Sequence, residues 1–326
     1  MEVPQQAHYL QYKREAWTGI SHQLYNLSVL LAEAAFLQRV AVLPDLTLAS
    51  HHNGGRAMRV PLSTYFDLSV FQSEACFITK EEFEQLQLPE HELVDEKTPP
   101  QQLQRKSTPL IIREFTNPDA IFSAPMKSEP EVEKIACKIR SLIAPSQSIR
   151  HQAEEIVKAL GEDFDTVHVR RGDLLEQAKR EWWRFPGYEQ YTSPKGIRKR
   201  IAQWVGQGRT LYVMTDEGKP GFFDPLKTWY KVYTFRDFQA LEALYLTDNY
   251  LLYEIEKCIA SKARIQVEMF SAYGQNMNFT YSLLSYPRWG VNTRFSRALE
   301  RLSHLIRRLK RILKGSIQGQ SINTTD

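Results

Sequence analysis

Cysteines and long apolar runs are scarce in this chain. There are three cysteines in 326 residues, Cys76, Cys137 and Cys258, and they lie far apart, without a CxxC pair. This spacing argues against a zinc site, and the odd, sparse count argues against a disulfide framework. The most apolar stretch, residues 27–44, is interrupted by charged and amide side chains. No segment is therefore predicted to span a bilayer.

Several targeting and cofactor motifs are also missing. Residues 1–6 contain no basic segment followed by an apolar one, so we expect no signal peptide and a cytoplasmic location. The patterns GxxxxGK[ST], HExxH and GxSxG are absent, as is GxGxxG after the first strand. Their absence disfavours P-loop nucleotidases, zinc proteases, serine hydrolases and dinucleotide enzymes. We expect no metal and no cofactor.

The composition is that of a soluble globular protein. Hydrophobic residues make up 42% and charged residues 25%. The length favours two domains. The formal net charge of +4 suits an anionic small ligand and is weak support for a nucleic-acid partner, so none is expected.

The first half begins with a predicted β-α-β unit. Ala7–Lys13 reads as a strand, a helix follows with Ser21 as its N-cap, and Val40–Leu43 reads as a buried strand. Residues 79–109 are polar and are predicted to be irregular. The break at residues 144–146 predicts a domain boundary, which gives domains 1–146 and 147–292 and a C-terminal segment 293–326.

The later part of the chain alternates between helix and strand. This order predicts an α/β fold with doubly wound parallel sheets. The remaining predicted strands are Leu110–Ile112, Thr166–Val169, Leu211–Met214, Val232–Phe235 and Arg264–Met269, and the remaining helices are Glu129–Leu142, Ser148–Leu160, Pro194–Val205 and Asn249–Lys262.

Charged and hydroxyl side chains follow the strands of the second half. Parallel sheets bind ligands at the carboxyl ends of their strands. Arg170 and Arg171 follow one strand, Asp216 follows the next, and Ser271 follows the last. Guanidinium groups match phosphate oxygens, and carboxylates accept hydrogen bonds from a base or a ribose. This edge therefore predicts a nucleoside diphosphate site.

Four segments resemble the GDP-fucose O-fucosyltransferase superfamily. They are His168-Val169-Arg170-Arg171-Gly172-Asp173, the opening Gly19–Gln23 with Arg39–Pro44, the pair Tyr191–Pro194 and Leu211–Glu217, and the helix through Glu254 and Glu256 that leads to Ser271. Their order and spacing agree with the family from Tyr9 to about Ser285. The family's opening loop has Asn before Gln, whereas His22 stands here.

The resemblance implies a GT-B fold, in which two Rossmann-like domains face each other across a cleft. It also implies inverting, metal-independent transfer from GDP-fucose to a glycan or protein hydroxyl. Arg170 would bind the β-phosphate, and Arg171 matches the second arginine of the motif.

The other matched positions give the remaining candidate site residues. His168 and Asp216 would lie near the guanosine or hold the arginines, and Ser271 would donate to a phosphate oxygen. Gly19, His22 and Gln23 would face the donor from the other domain. Asp173, Glu176 and Glu15 are the candidates for the general base.

Other interpretations fit the same residues. The arginine pair could bridge carboxylates at a strand end, and Asp216 could belong to a helix N-cap. Tyr188, with Trp182 and Trp183, could stack on an acceptor sugar, pack in the core or form a surface patch. The alternative functions are transfer from another nucleotide sugar and a non-catalytic sugar-nucleotide or glycan-binding module.

The C-terminal segment predicts a basic amphipathic helix. Its apolar residues from Phe295 to Leu313 fall on one face, and arginines and lysines are interleaved with them. Such a helix packs across the domains or makes a peripheral contact with the inner membrane surface.

Overall fold

The computed structural model describes residues 7–13, 19–50, 57–86, 90–115, 125, 128–180, 187–268 and 290–293. For Asp173, Glu268 and residues 290–293, the description covers the backbone only. All statements about the structure below refer to these residues.

Strands and helices alternate over most of this part of the chain. The strands are β1 (Tyr9–Lys13), β2 (Val40–Val42), β3 (Leu46–Leu48), β4 (Met58–Val60), β5 (Phe77–Ile78), β6 (His91–Asp95), β7 (Leu110–Glu114), β8 (Phe164–Val169), β9 (Thr210–Thr215), β10 (Lys231–Tyr233), β11 (Ile265–Glu268) and β12 (Gly290–Thr293). The α-helices are α1 (Ile20–Phe36), α2 (Lys80–Glu84), α3 (Pro100–Leu103), α4 (Pro130–Leu142), α5 (Gln147–Leu160), α6 (Gly172–Arg180), α7 (Tyr188–Thr192), α8 (Pro194–Ile201), α9 (Gln239–Thr247) and α10 (Asn249–Lys262).

The first compact unit contains the described residues up to 153 together with 243–258. Its sheet has the strand order β5-β2-β1-β7-β6, and all of its pairings are parallel. Helix α1 is buried along almost its whole length, as its run of Leu, Val and Ala predicts. Residues 243–258 thus belong to the first unit although they lie far along the chain, and the predicted boundaries at 146 and 292 do not include this feature. Those boundaries stay a prediction.

A buried ion pair joins three elements of this unit. Arg113 on β7 donates to the Glu33 carboxylate on α1, and both side chains are fully buried. The Tyr12 hydroxyl on β1 donates to the same carboxylate at 2.5 Å. Arg113 also donates to the Thr98 carbonyl oxygen at 2.8 Å. These bonds offset much of the cost of burying the two charges, while Arg113 Nε is buried without a hydrogen-bond partner among the described residues.

The second unit contains residues 154–242 and the described residues from 259 onward. Its sheet has the order β10-β9-β8-β11-β12, in which only β12 is antiparallel to its neighbour. Buried aliphatic side chains of β8, β9 and α8 form its main core. Because successive strands leave β8 first on one side and then on the other, the order reverses between β8 and β11. The carboxyl ends of these two strands flank the position where such sheets bind ligands.

The α/β class with parallel sheets is confirmed, and two details of the prediction are wrong. Ser21 is not an N-cap, because α1 already begins at Ile20 and Gly19 occupies the cap position. Residues 79–109 are not irregular throughout, since they contain α2, β6 and α3. The facing arrangement of two GT-B domains stays a prediction, and the predicted C-terminal helix lies outside the described residues. Every helix that the structure describes is too short or too polar to cross a membrane.

Candidate functional site

The candidate site lies at the carboxyl end of β8. This strand is almost completely buried and ends at Val169, so the next residue, Arg170, lies at the edge of the sheet beside the reversal of strand order. His168 pairs in register with Met214 of β9 and Glu268 of β11. The sequence segment predicted to bind phosphate is therefore at the expected edge, and the Arg170 side chain is half-buried there.

His168 is held in its neutral form. Burial, and to a smaller extent the nearby positive charge of Arg170, lower the pKa of the imidazole from 6.5 to about 4. A neutral imidazole carries one hydrogen-bond donor and one acceptor at physiological pH. It can therefore bind a ribose or base without adding a positive charge.

The Arg171 side chain is engaged inside the protein. Its Nε donates to Glu217 Oε2 at 2.8 Å, and its Nη1 donates to Thr192 Oγ1 at 2.7 Å. The guanidinium carbon lies 4.3 Å from the centre of the Phe222 ring, and the side chain is 6% exposed. This geometry matches the interpretation in which a guanidinium bridges a carboxylate at a strand end. The phosphate contact predicted for Arg171 stays a prediction.

Asp216 holds the backbone that follows Arg170. Its Oδ1 accepts from the Arg171 amide at 2.5 Å and from the Gly172 amide at 2.9 Å. A Cβ at Gly172 would lie 2.9 Å from Asp216 Oδ2, so the glycine permits this close approach. Of the two roles predicted for Asp216, the structure shows the one in which it holds the arginine segment. The carboxylate also places negative charge at the N-terminus of α6, where it is favourable.

Two residues of α7 support the same segment from another side. The Tyr188 hydroxyl donates to the Arg170 carbonyl oxygen, and Tyr188 is 2% exposed. Thr192 Oγ1 donates to the Tyr188 carbonyl oxygen at 2.8 Å while it accepts from Arg171. Tyr188 is therefore a core residue, and the interpretation in which it stacks on an acceptor sugar is wrong.

Helix α8 begins as the sequence predicts and packs tightly on α7. Ser193 caps it by accepting from the Gly196 amide at 3.2 Å, and Pro194 occupies the first turn. A Cβ at Gly196 would lie 2.2 Å from the Gln190 carbonyl oxygen. Gly196 therefore lets the α8 backbone approach the helix that carries Thr192.

A cavity of about 240 Å³ opens at the carboxyl ends of β9 and β10. Glu217 and Phe222, two of the contacts of Arg171, both line it. Two cations in its lining are paired with acids: Lys227 with Asp224 at 2.7 Å, and Arg236 with Glu242 at 3.1 Å. The cavity lies on the β10 side of β8, away from the reversal of strand order.

The predicted opening loop belongs to the first unit. Gly19 is the N-cap residue of α1, and no atom lies within 4 Å of the position of its absent Cβ. His22 lies half-buried in the first turn of α1. Gln23 clamps β3: its Nε2 donates to the Thr47 carbonyl oxygen, and its Oε1 accepts from the Thr47 amide, both at 2.8 Å. Both polar groups of Gln23 thus have partners within the unit, and its predicted donor contact stays a prediction.

The remaining predicted residues are only partly described. Asp173 lies in the first turn of α6 by its backbone. Ser271, Glu15, Trp182 and Trp183 lie outside the described residues.

Glu176 is a poor candidate for the general base. It is exposed, and its ion pair with Lys179, at 2.7 Å, lowers the pKa of its carboxyl group. Within the described part of the chain, no three His, Cys, Asp or Glu side chains come together as a group able to hold a metal ion.

Three supporting residues were not identified from the sequence as parts of the site. The sequence predicts stacking on a sugar, core packing or a surface patch for Tyr188, and it marks Thr192 only as part of a helix start. No pattern in the sequence points to Phe222 as part of the site. Thr192 and Glu217 lie 21 and 46 residues from Arg171 along the chain, so only the folded sheet brings them together. Thr192 directly precedes Ser193-Pro194 and Glu217 directly follows Asp216, in two of the segments matched to the family. This adjacency is the signal that the sequence offers for the two residues.

Comparisons with known proteins place the chain among α/β folds of the same kind. A family model described as "Domain of unknown function (DUF7075)" matches residues 6–276. A crystal structure of POFUT1 in complex with GDP-fucose superposes with a TM-score of 0.50 at 12% identity, over 79% of this chain and 95% of that chain. The fucosyltransferase NodZ from Bradyrhizobium superposes with a TM-score of 0.45 at 12% identity, over 88% of this chain and 99% of that one. The POFUT1 likeness concerns the fold. No curated protein matches the sequence.

Proposed function

We propose that this chain, which belongs to the DUF7075 family, is a glycosyltransferase that uses a nucleoside diphosphate sugar, with GDP-fucose as the preferred donor. The observation that carries the proposal is the position of Arg170. It follows β8 directly, beside the reversal of strand order, next to a neutral histidine. The four matched sequence segments support it, as does the shared fold with POFUT1, whose structure contains GDP-fucose.

The charge of Arg170 suits the departure of a diphosphate. When the bond between the anomeric carbon and the β-phosphate oxygen breaks, negative charge grows on the leaving nucleotide. A fixed guanidinium stabilises this charge more in the transition state than in the ground state. By analogy with an oxyanion-hole donor, loss of the guanidinium lowers the rate by about 10²–10³-fold.

The proposed transfer inverts the configuration of the sugar. The oxygen of an acceptor hydroxyl, on a glycan or a protein, attacks the anomeric carbon from the face opposite the diphosphate. A new carbon–oxygen bond forms while the bond to phosphate breaks, and the hydroxyl proton passes to a base. Asp173 and Glu15 remain the candidates for this base, since the ion pair of Glu176 disfavours that residue.

Further parts of the proposal follow from the family resemblance. They are the GT-B arrangement of the two domains, donor contacts from Gly19, His22, Gln23 and Ser271, and metal-independent catalysis. A cytoplasmic location is proposed separately, and a peripheral membrane contact is proposed from the basic amphipathic pattern of residues 293–326.

Binding and turnover test the proposal in sequence. Isothermal titration with GDP, UDP and ADP is expected to show binding of GDP. Incubation with GDP-fucose and a panel of glycan and peptide acceptors is then expected to yield fucosylated product, at a rate that EDTA leaves unchanged. GDP binding without transfer to any acceptor would favour a non-catalytic module, and a preference for UDP would indicate another donor. Binding of none of the three nucleotides would contradict the proposal.

A further inference from the structure

We infer that Arg171 and Glu217 form a charge-neutral positioning pair beside Arg170, the residue that the proposed function assigns to the donor diphosphate. This inference rests on the proposed function and assigns different work to the two adjacent arginines. In this account Arg170 is a catalytic residue, whereas Arg171 and Glu217 act through it.

The Arg171 guanidinium is held by several neighbouring side chains. A carboxylate, a hydroxyl and an aromatic ring surround the guanidinium, at Nε, at Nη1 and over its face. The side chains of Arg171 and Glu217 are 6% and 15% exposed. A rotation of the guanidinium towards a diphosphate would break these contacts and leave the mostly buried Glu217 carboxylate without its cation, which is unfavourable.

Glu217 is in turn held by hydrogen bonds. Its amide donates to Thr215 Oγ1 at 3.1 Å, and its Oε1 accepts from the Lys219 amide at 2.9 Å. Thr215 in turn donates to the Val169 carbonyl oxygen at 2.7 Å. The carboxylate is thus tied through the end of β9 to the last residue of β8, so it forms a fixed partner for Arg171.

The backbone around Arg170 is fixed by hydrogen bonds. The Tyr188 hydroxyl holds its carbonyl oxygen, and Asp216 holds the next two amides. These bonds do not involve the charge pair. A variant in which both charges of the pair are removed should therefore keep Arg170 in place, whereas a variant with one charge left unpaired should disturb the anion site electrostatically.

A double-mutant cycle on GDP affinity separates this arrangement from direct contact. The variants are R171M, E217Q and R171M/E217Q, and the readout is the Kd for GDP by titration calorimetry at two salt concentrations. R171M leaves the Glu217 carboxylate unpaired beside the segment that carries Arg170, so we expect binding at least about 10-fold weaker. E217Q leaves an unpaired cation, so we expect equal or tighter binding. The double variant is expected to return to within about threefold of wild type, because the two effects cancel.

The matched control is an exposed ion pair elsewhere in the same unit. Lys158 and Glu155 on α5 are 2.8 Å apart, with side chains that are 73% and 56% exposed. K158M, E155Q and their double variant are expected to leave the Kd for GDP within about twofold. Circular dichroism confirms folding of each protein. T192V, which removes the hydrogen bonds of Thr192 Oγ1 to Arg171 and to the Tyr188 carbonyl oxygen without a change in charge, serves if R171M does not fold.

The outcomes distinguish the inference from the proposed function. A double variant that binds GDP as weakly as R171M would show that Arg171 contacts the diphosphate directly, and the inference would be overturned. If R171M does not fold, near-normal GDP binding by T192V supports the inference, and a loss as large as that of R170M overturns it.

Failure of the wild-type protein to bind GDP would instead defeat the proposed function. Urea unfolding would then judge the pair alone: a double variant more stable than either single variant supports the pair, and additive losses contradict it.

Discussion

The neutral state of His168 makes the stability of the protein depend on pH in a defined window. Its pKa is lowered from 6.5 to about 4 in the folded protein. Between these values the unfolded chain binds a proton that the folded state does not, so acid favours unfolding. The stability linked to His168 is complete above pH 6.5 and is lost as the pH falls towards 4. With the usual conversion of 1.36 kcal/mol per pKa unit, the loss is about 2 kcal/mol at pH 5 and about 3 kcal/mol at pH 4.

The assay is urea unfolding of the wild type and H168Q at intervals from pH 7 to pH 4. Carboxyl groups that titrate in the same range contribute equally to both proteins, so their difference isolates the histidine. We expect the free energy of unfolding of the wild type to fall relative to that of H168Q by about 3 kcal/mol across this range. Parallel curves for the two proteins would refute the account of a buried, neutral imidazole beside Arg170.

Three further predictions concern the fold and the site. R113M leaves the Glu33 carboxylate buried without its cation, so we expect a loss of about 3–5 kcal/mol in the free energy of unfolding; a loss below 1 kcal/mol would contradict the buried pair. G196A places a methyl group against the backbone of α7, so we expect the melting temperature to fall clearly, whereas G206A, whose new Cβ meets only ordinary contacts, should change it little. Equal shifts for the two glycine variants would count against the close approach of α7 and α8. G172A pushes against the Asp216 carboxylate and should weaken GDP binding about 10-fold in a titration, and unchanged binding would dismiss the role of that contact.

Long periodic elements of the fold were predictable from the sequence, and short edge elements were not. The helix over Asn249–Lys262 was predicted with the bounds that the structure has, because its apolar residues repeat with helical period. The strand β6 was missed because it lies at a sheet edge, where its residues are mostly exposed and carry no clear alternation of apolar and polar residues. The strand β5 has only two residues, too few for any pattern.

In the candidate site too, features set by the local sequence could be predicted, and features set by long-range contacts could not. The place of Arg170 at a strand end could be predicted, since the strand before it is a buried run of β-forming residues. The different environments of Arg170 and Arg171 could not, because they depend on Thr192 and Glu217, which the fold brings from distant parts of the sequence. Gln23 likewise looked like a ligand contact, yet its amide group is satisfied by the Thr47 backbone.

GDP binding by R170M tests the central claim most directly. Calorimetric titration of the wild type, R170M and the exposed-surface control R180M compares removal of a positive charge at two positions of the second unit. Loss of a hydrogen bond to a charged phosphate predicts about 10- to 150-fold weaker binding for R170M and a change within about twofold for R180M. R170M that folds normally and binds GDP as tightly as the wild type would contradict the account.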